Sequence, residues 1–596
     1  MSSPHKFHIP VMGLAFTIDS PVKVAQYGIN SAISIIEDKL VEMMRNYYCQ
    51  QLQEPYTPIT PNDPDYRAKR ITNYLNMMNR MVQARVEKLR NTTFEKGSEI
   101  VKYFEMLPNG NKLRQLCLQI INDSRGTKAL QNFLRKQVVA GSIDVNIMTK
   151  IDRDVHDKLG NVIADTSDAL AALRGYAKSD LTGSSVIFSA GLNVRLFNYL
   201  ENFSEFNATA WGEFNKRIVI KVSDYRSALI QGKYLAKKGL WVSEFRIESG
   251  LNCGGHAFAS EGLLMGPILE EFNTKRWELV SELHNLYNAA VKQKGEITFA
   301  RPHPIHITVQ GGIGTAAEAD FLINHYKIDS TGWGTPFLLC PEATTVDSPT
   351  LNLLCNADEK DVILSKNSPL GIRFNYLKGT SSDKEKQQRI ERGVPGSPCT
   401  EKFLVSNTEF TKEPICTASY TYQKHKVNQL KSLNLSEAEF KAKYDEVVSK
   451  ECLCIGLINS AIANYGLLPI KNLRAVTICP GPNIAYFDKT VTLQQMADHI
   501  YGRADILGAK ERPHMFIKEL DLNISYLKEN IAGYDKANAK GLKDIIKYGT
   551  NLLDGICYYE ELAYAIFGRD TENKQHFLQV MANRKQKVNQ LLAKFK

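Results

Sequence analysis

Apolar residues along the chain follow two rhythms. Short β-type runs dominate most of the first 340 residues, and helical spacing dominates elsewhere. The β-type runs are Ile9 to Phe16, Ser31 to Ile36, Ser142 to Met148, Ser184 to Leu192, Arg217 to Ser223, Ser243 to Ser249, His306 to Gln310 and Ser330 to Phe337. Most are followed by a stretch of helical period. Eight strand-and-helix units predict a closed α/β barrel, the (β/α)8 or TIM barrel, with its chemistry at the carboxyl ends of the strands.

Between the second and third runs the rhythm is helical, with charged faces, from about 39 to 140. This predicts a helical insertion after strand 2. Its stripe of Tyr74, Met77, Met78 and Met81 reads as packing. Beyond about 345 the alternation fades. Residues 346–490 read as an irregular, cysteine-containing region, with Ser381 to Arg392 as a charged linker or exposed helix. Residues 491–596 read as a helical C-terminal region. The expected organisation is therefore a barrel over 1–345 followed by these two regions.

Composition narrows the class. The net charge of +10 comes from 74 basic against 64 acidic residues. With no concentrated basic stripe, this excess does not point to nucleic acid. No run approaches the roughly 20 apolar residues that span a bilayer, and the first residues lack a signal-peptide core. Eleven cysteines in 596 residues do not form a secreted disulfide framework. The expectation is a cytoplasmic protein without membrane or nucleic-acid partners, acting on a small molecule. Self-association stays open.

Distinctive residues fall at the strand ends: Gly13, Asn146, Lys221, His256, Gly311-Gly312 and Gly334-Thr335. Gly311 to Thr315 follows a strand and precedes a helix, so bare N–H groups meet a helix N-terminus in a ready anion site. Gly334-Thr335 stands where barrels place the other half of a phosphate cradle. A competing reading takes Gly312, Gly314 and Ala317 as a dinucleotide fingerprint with Asp329 as the ribose-binding acid. His256 follows Gly254 and Gly255 at a strand end, where an imidazole can move a proton or bind a substrate oxygen, or simply cap the next helix. Lys221 interrupts an apolar strand and faces either the mouth or solvent.

Three of these motifs, taken in order, carry a resemblance. Cys253-Gly-Gly-His256-Ala with Leu263-Leu-Met-Gly-Pro267, then Gln310-Gly-Gly-Ile-Gly-Thr315, then Gly334-Thr-Pro-Phe337 with Glu342-Ala343, resemble the nitronate monooxygenase (2-nitropropane dioxygenase-like) family of FMN-dependent TIM barrels. The likeness covers about residues 8 to 345. It implies FMN, with His256 as the active-site histidine beside Gly254 and Gly255. It implies that Gly311, Gly312, Gly334 and Thr335 hold the phosphate, and that Met12, Gly13 and Asn146 lie by the flavin. Lys221 would be a cation near the ring, by a looser match. The implied chemistry is oxidation of a nitronate-like carbon acid, with reduction of an enoyl-thioester-type double bond as the alternative. A non-catalytic ligand-binding or assembly barrel is a third reading. Cys253, Trp333, the insertion and the long C-terminal region depart from the family pattern and put the substrate in doubt.

Cys399, Cys416, Cys452, Cys454 and Cys479 fall within about eighty residues. Their spacing matches no standard ligand pattern, so no metal ligand is assigned. Buried thiols, zinc and an iron–sulfur centre all remain open.

Overall fold

A computed structural model describes residues 3–123, 128–149, 151–157, 159–253, 261–534 and 539–595. His256, Gly254 and Gly255 lie outside the described residues. Eight strands close a parallel barrel: β1 (Phe7–Ile9), β2 (Asn30–Ser34), β3 (Ile143–Ile147), β4 (Ser184–Phe188), β5 (Lys216–Val222), β6 (Val242–Glu248), β7 (His306–Gln310) and β8 (Ser330–Gly332). Each pairs with the next, and β8 closes on β1 through Phe7 opposite Thr331 and His8 opposite Gly332. Seven overlap the runs read from the sequence, with β4 ending at Phe188 and β8 at Gly332. The first run, Ile9 to Phe16, is corrected, because β1 lies before it and shares only Ile9. β1 stops before Pro10, which has no N–H to give a ladder. β8 stops at Gly332, because Thr335–Leu339 turns into a 3-10 helix.

The insertion between β2 and β3 contains helices Asp38–Leu52, Tyr66–Arg90, Glu99–Glu105, Lys112–Asp123 and Lys128–Gln137. Tyr74, Met77, Met78 and Met81 are buried in the main core. After the barrel the chain forms a hairpin, Val362–Ser365 with Phe374–Leu377. The stretch read as irregular also holds the helices Tyr420–Ser432 and Glu437–Val448. Ser381–Glu391 is a helix with no buried residue. Long helices at Met515–Ala532, Ala539–Phe567 and Thr571–Leu592 follow. One continuous apolar core joins the barrel's outer face, the insertion and the C-terminal helices.

The barrel interior is separate and mostly polar. Ala32, Ile187 and Val219, with Val11 against them, form its small apolar plug. Nearby, Arg246 pairs with Glu244 at 2.8 Å, and Thr308 donates to the same carboxylate at 2.5 Å. Burial would lift the Glu244 carboxyl, but the Arg246 charge dominates and holds it down to about 2. Burial, helped by Arg246, keeps His8 neutral, with its pKa lowered to about 3.

Candidate active site at the barrel mouth

The turns after β7 and β8 stand side by side because their strands pair, Gly332 opposite Gln310. Gly311 and Gly312 hold φ of +103° and +86°, which suits glycine. Their lack of side chains lets the β6 loop come close. A Cβ on Gly311 would lie 2.9 Å from the Asn252 nitrogen, and one on Gly312 would lie 2.7 Å from a Leu251 methyl. Gly312, Gly334 and Thr335 are buried, and their backbone N–H groups find no acceptor among the described residues. Buried amide donors are nearly always paired. Three such groups at neighbouring turns fit an anion.

The chain's C-terminal part closes over this place. The Gly481 N–H donates to the Thr335 hydroxyl at 3.0 Å. Asn483 and Arg512 donate to the Gly312 carbonyl at 2.8 and 2.5 Å. Glu318, on the helix Ala316–His325, takes the Gly314 N–H at 2.8 Å, so that donor is already used. Asp329 is not a ribose acid. It pairs with Arg276 at 2.7 Å and takes the Ile307 N–H at 2.7 Å, near the amino ends of β7 and β8. The preceding strand is the seventh of a closed barrel, so the dinucleotide-fold reading falls.

Across the mouth, above β1 to β3, lies a half-open cavity of about 100 Å³. Its barrel side is Gly13, Leu14, Ile36, Glu37, Met148, Thr149 and Ile151; its roof is Phe403, Leu404, Leu453, Cys454 and Leu457. Its apolar lining suits the apolar part of a small molecule or cofactor. Gly13 bends the chain at φ +54°. Met12 is fully buried and lies between this cavity and the β8 turn, its sulfur 3.6 Å from where a Gly334 Cβ would stand.

Deeper in the interior, Lys221 is buried, which excludes the solvent-facing alternative. It pairs with Glu248 at 3.2 Å. Asn252 and Gln310 donate to the same Glu248 oxygen at 2.8 and 2.7 Å. The Lys221 charge is therefore shared with a carboxylate and is not a free cation. Asn146 donates to the Ile187 carbonyl at 3.0 Å. The Asn146 Oδ1 and Gln310 Oε1 atoms are buried and make no hydrogen bond within normal geometry among the described residues. Trp333 turns away from the mouth, its indole N–H on the Thr331 hydroxyl at 3.1 Å and its ring edge-on to His499.

Glu37 is the residue the sequence reading passed over. It ends the β2 loop and caps the helix Asp38–Leu52, accepting the Lys39 N–H at 3.3 Å. Its other oxygen is buried and has no partner among the described residues. Burial, with the charges of Asp38 and Glu401 adding, pushes its carboxyl up to about 8. A titratable group tuned toward neutrality on a cavity wall is suited to moving a proton. In sequence, Glu37-Asp38 looks like an ordinary acidic helix start.

No family model and no curated protein matches the chain. Among solved structures it is similar to the enoyl reductase domain of MlnA from the macrolactin cluster of Bacillus amyloliquefaciens. That likeness has 14% identity and a TM-score of 0.32, over 75% of this chain and 98% of that one. It is also similar to a nitroalkane oxidase from Streptomyces ansochromogenes, with 9% identity and a TM-score of 0.34, over 84% of this chain and 96% of that one. At such values the likeness carries no functional argument, and the barrel rests on its own strand pairing.

Proposed function

We propose that the chain is an FMN-dependent oxidoreductase acting on an activated carbon acid of the nitronate type. The observation that carries the reading is the pairing of two features on one barrel mouth. One is the set of buried N–H groups of Gly312, Gly334 and Thr335 that find no acceptor among the described residues; the other is the apolar cavity bearing Glu37. The residues fit the cofactor. The turn donors suit its phosphate, and the walls at Gly13, Leu14 and Met148 suit a planar ring. The Asn146 oxygen, without a partner among the described residues, suits its N–H edge.

Bound FMN supplies the two-electron chemistry. Glu37 holds a proton at neutral pH and accepts one above about pH 8. The Lys221–Glu248–Gln310 network fixes the polar floor, and the roof segments cover one side of the cavity. His256 follows the β6 loop in sequence and is a second proton-transfer candidate.

A second reading has an observation of its own. A Glu37 protonated at neutral pH is a donor, which suits reduction of an activated carbon–carbon double bond.

The test is the visible spectrum of the purified chain, mass assignment of any acid-released chromophore, and turnover of a nitronate against an enoyl thioester. Released FMN with nitronate-dependent oxygen uptake is the expected result. FMN with enoyl turnover alone selects the second reading. A colourless chain that FMN does not reconstitute overturns both.

A further inference from the structure

Most of the excess positive charge sits in one part of the fold. Residues 39–140 hold 17 of the 74 basic residues but only nine of the 64 acidic ones, an excess of eight in a net charge of +10. In sequence no stripe shows, because these residues are scattered over several helices. Folding gathers them.

The arginines there are used inside the fold. Arg85 donates to the Val22 carbonyl at 2.7 Å, Arg90 to the Val138 carbonyl at 2.6 Å and Arg114 to the Glu105 carbonyl at 3.2 Å. Arg135 donates to the Thr92 carbonyl at 2.7 Å and lies over the Phe94 ring at 5.1 Å. These bonds fasten the helix Lys128–Gln137 to the end of Tyr66–Arg90 and to the turn after it. The lysines face solvent instead. Lys88, Lys96, Lys112, Lys128 and Lys136 are all exposed and have no acidic partner among the described residues. Glu87 and Glu99 are already taken by Arg90 and Lys102.

Lys128, Asn132 and Lys136 are spaced four apart and so share one row of their helix. Phe133 stands beside them, 45% exposed. Leu134 is buried and Leu130 packs on the core, so the helix is already docked by its apolar face. What it turns to water is an aromatic ring among ammonium groups. This surface lies at the base of the barrel. The helix runs into β3 at its amino end, where the Gly141 N–H donates to the Ala25 carbonyl and the Ser142 N–H to the Asn30 side chain, each at 2.8 Å. The mouth opens at the opposite, carboxyl end of the strands.

A guanidinium fork reads a single phosphate or carboxylate through paired hydrogen bonds, whereas an ammonium is a point charge without fixed direction. Exposed lysines therefore match a diffuse negative potential, and a ring beside them matches the headgroup boundary of a bilayer. No helix among the described residues is long and apolar enough to cross a membrane, so such contact is peripheral. We propose that the lysine face around Phe133 docks the chain on an anionic phospholipid surface, with the barrel mouth turned to the water. The docking does not depend on what the mouth binds.

The test is co-sedimentation of the full-length chain with phosphatidylcholine vesicles, with and without phosphatidylserine, at low and high salt. Binding to the phosphatidylserine vesicles alone, weakened by salt, is expected. K128E/K136E should weaken it at least about tenfold, since each lysine near such a surface contributes about fivefold. F133S should weaken it with the salt dependence kept. K431E/K443E reverses as many exposed charges on the helices Tyr420–Ser432 and Glu437–Val448 and should bind as the native chain does. An unchanged melting temperature in each variant separates lost docking from lost folding. Equal sedimentation with and without phosphatidylserine overturns the proposal, as does full binding by K128E/K136E or an equal loss in K431E/K443E. Capture by duplex DNA or polyglutamate at the same salt, with none by the vesicles, also overturns it and assigns the surface to another polyanion.

Discussion

Arg512 and Glu318 form an ion pair 2.7 Å long, with each side chain only 3% exposed. Arg512 also holds the Gly312 carbonyl, and Glu318 takes the amides of Gly314 and Met515. One pair thus ties the C-terminal helices to the turn after β7. Removing one partner of a buried pair strands the other charge, at a cost of about 3–5 kcal/mol. R512A should lose that much in denaturant unfolding; a loss below about 1 kcal/mol would contradict the role.

The same pair gives an acid limb to stability. Burial alone would raise the Glu318 carboxyl, but the Arg512 charge and hydrogen bonds hold it below the usual range. A depressed folded pKa stabilises above the ordinary carboxylate pKa, and the gain is lost as pH falls through the folded value. Melting temperature followed downward from pH 5 should fall less steeply in R512A than in the native chain.

Glu37 has the opposite sign. Its folded pKa of about 8 lies above the unfolded value, so the native state keeps a proton that the unfolded chain releases. Its contribution is full below about pH 4.5 and disappears as pH rises through 8. E37Q should flatten this slope and raise the melting temperature near pH 8. Its turnover should lose the pH limb near 8. An unchanged limb would remove Glu37 from proton transfer.

Gly312 separates backbone strain from site function. An alanine there meets Leu251 in addition to the strain of φ +86°, whereas Gly97, at φ +83°, has nothing within 4 Å. G97A should cost about 1–2 kcal/mol for the left-handed backbone alone. G312A should cost more and should also lose bound FMN. Full flavin retention in G312A would argue against the turn as the phosphate cradle.

Arg153 joins two parts of the mouth. It grips Asp168 at 2.6 and 3.2 Å while stacking on Phe403. R153A should loosen the Glu401 to Leu404 segment, seen as faster amide exchange there, and cost about 2–4 kcal/mol. Unchanged exchange would show that the wall is held elsewhere.

The barrel was legible because a parallel strand buried on both faces is a short apolar run, and Gly311-Gly312 and Gly334-Thr335 mark the turns at strand ends. Local pattern shows which residues end a strand, but not what arrives from far along the chain. The Glu37 shift depends on Glu401, the cavity roof on Phe403 and Leu453, and the neutralisation of Lys221 on Glu248. The cysteines looked unpatterned because Cys399, Cys416, Cys452 and Cys454 reach one cavity by folding, not by the fixed spacing of a local knuckle.

The mouth cavity is walled on one side by residues that end the first strands and on the other by Phe403, Leu404 and Leu453 to Leu457. Synthesis from the amino end therefore delivers all eight staves before any of the lid. The nascent barrel has no roof over its mouth, and a chain cut short after the last stave would lack that roof and part of the core that packs on the barrel's outer face. Filling of the pocket and completion of the polypeptide are then successive events, and the final third of the chain sets when the protein becomes competent.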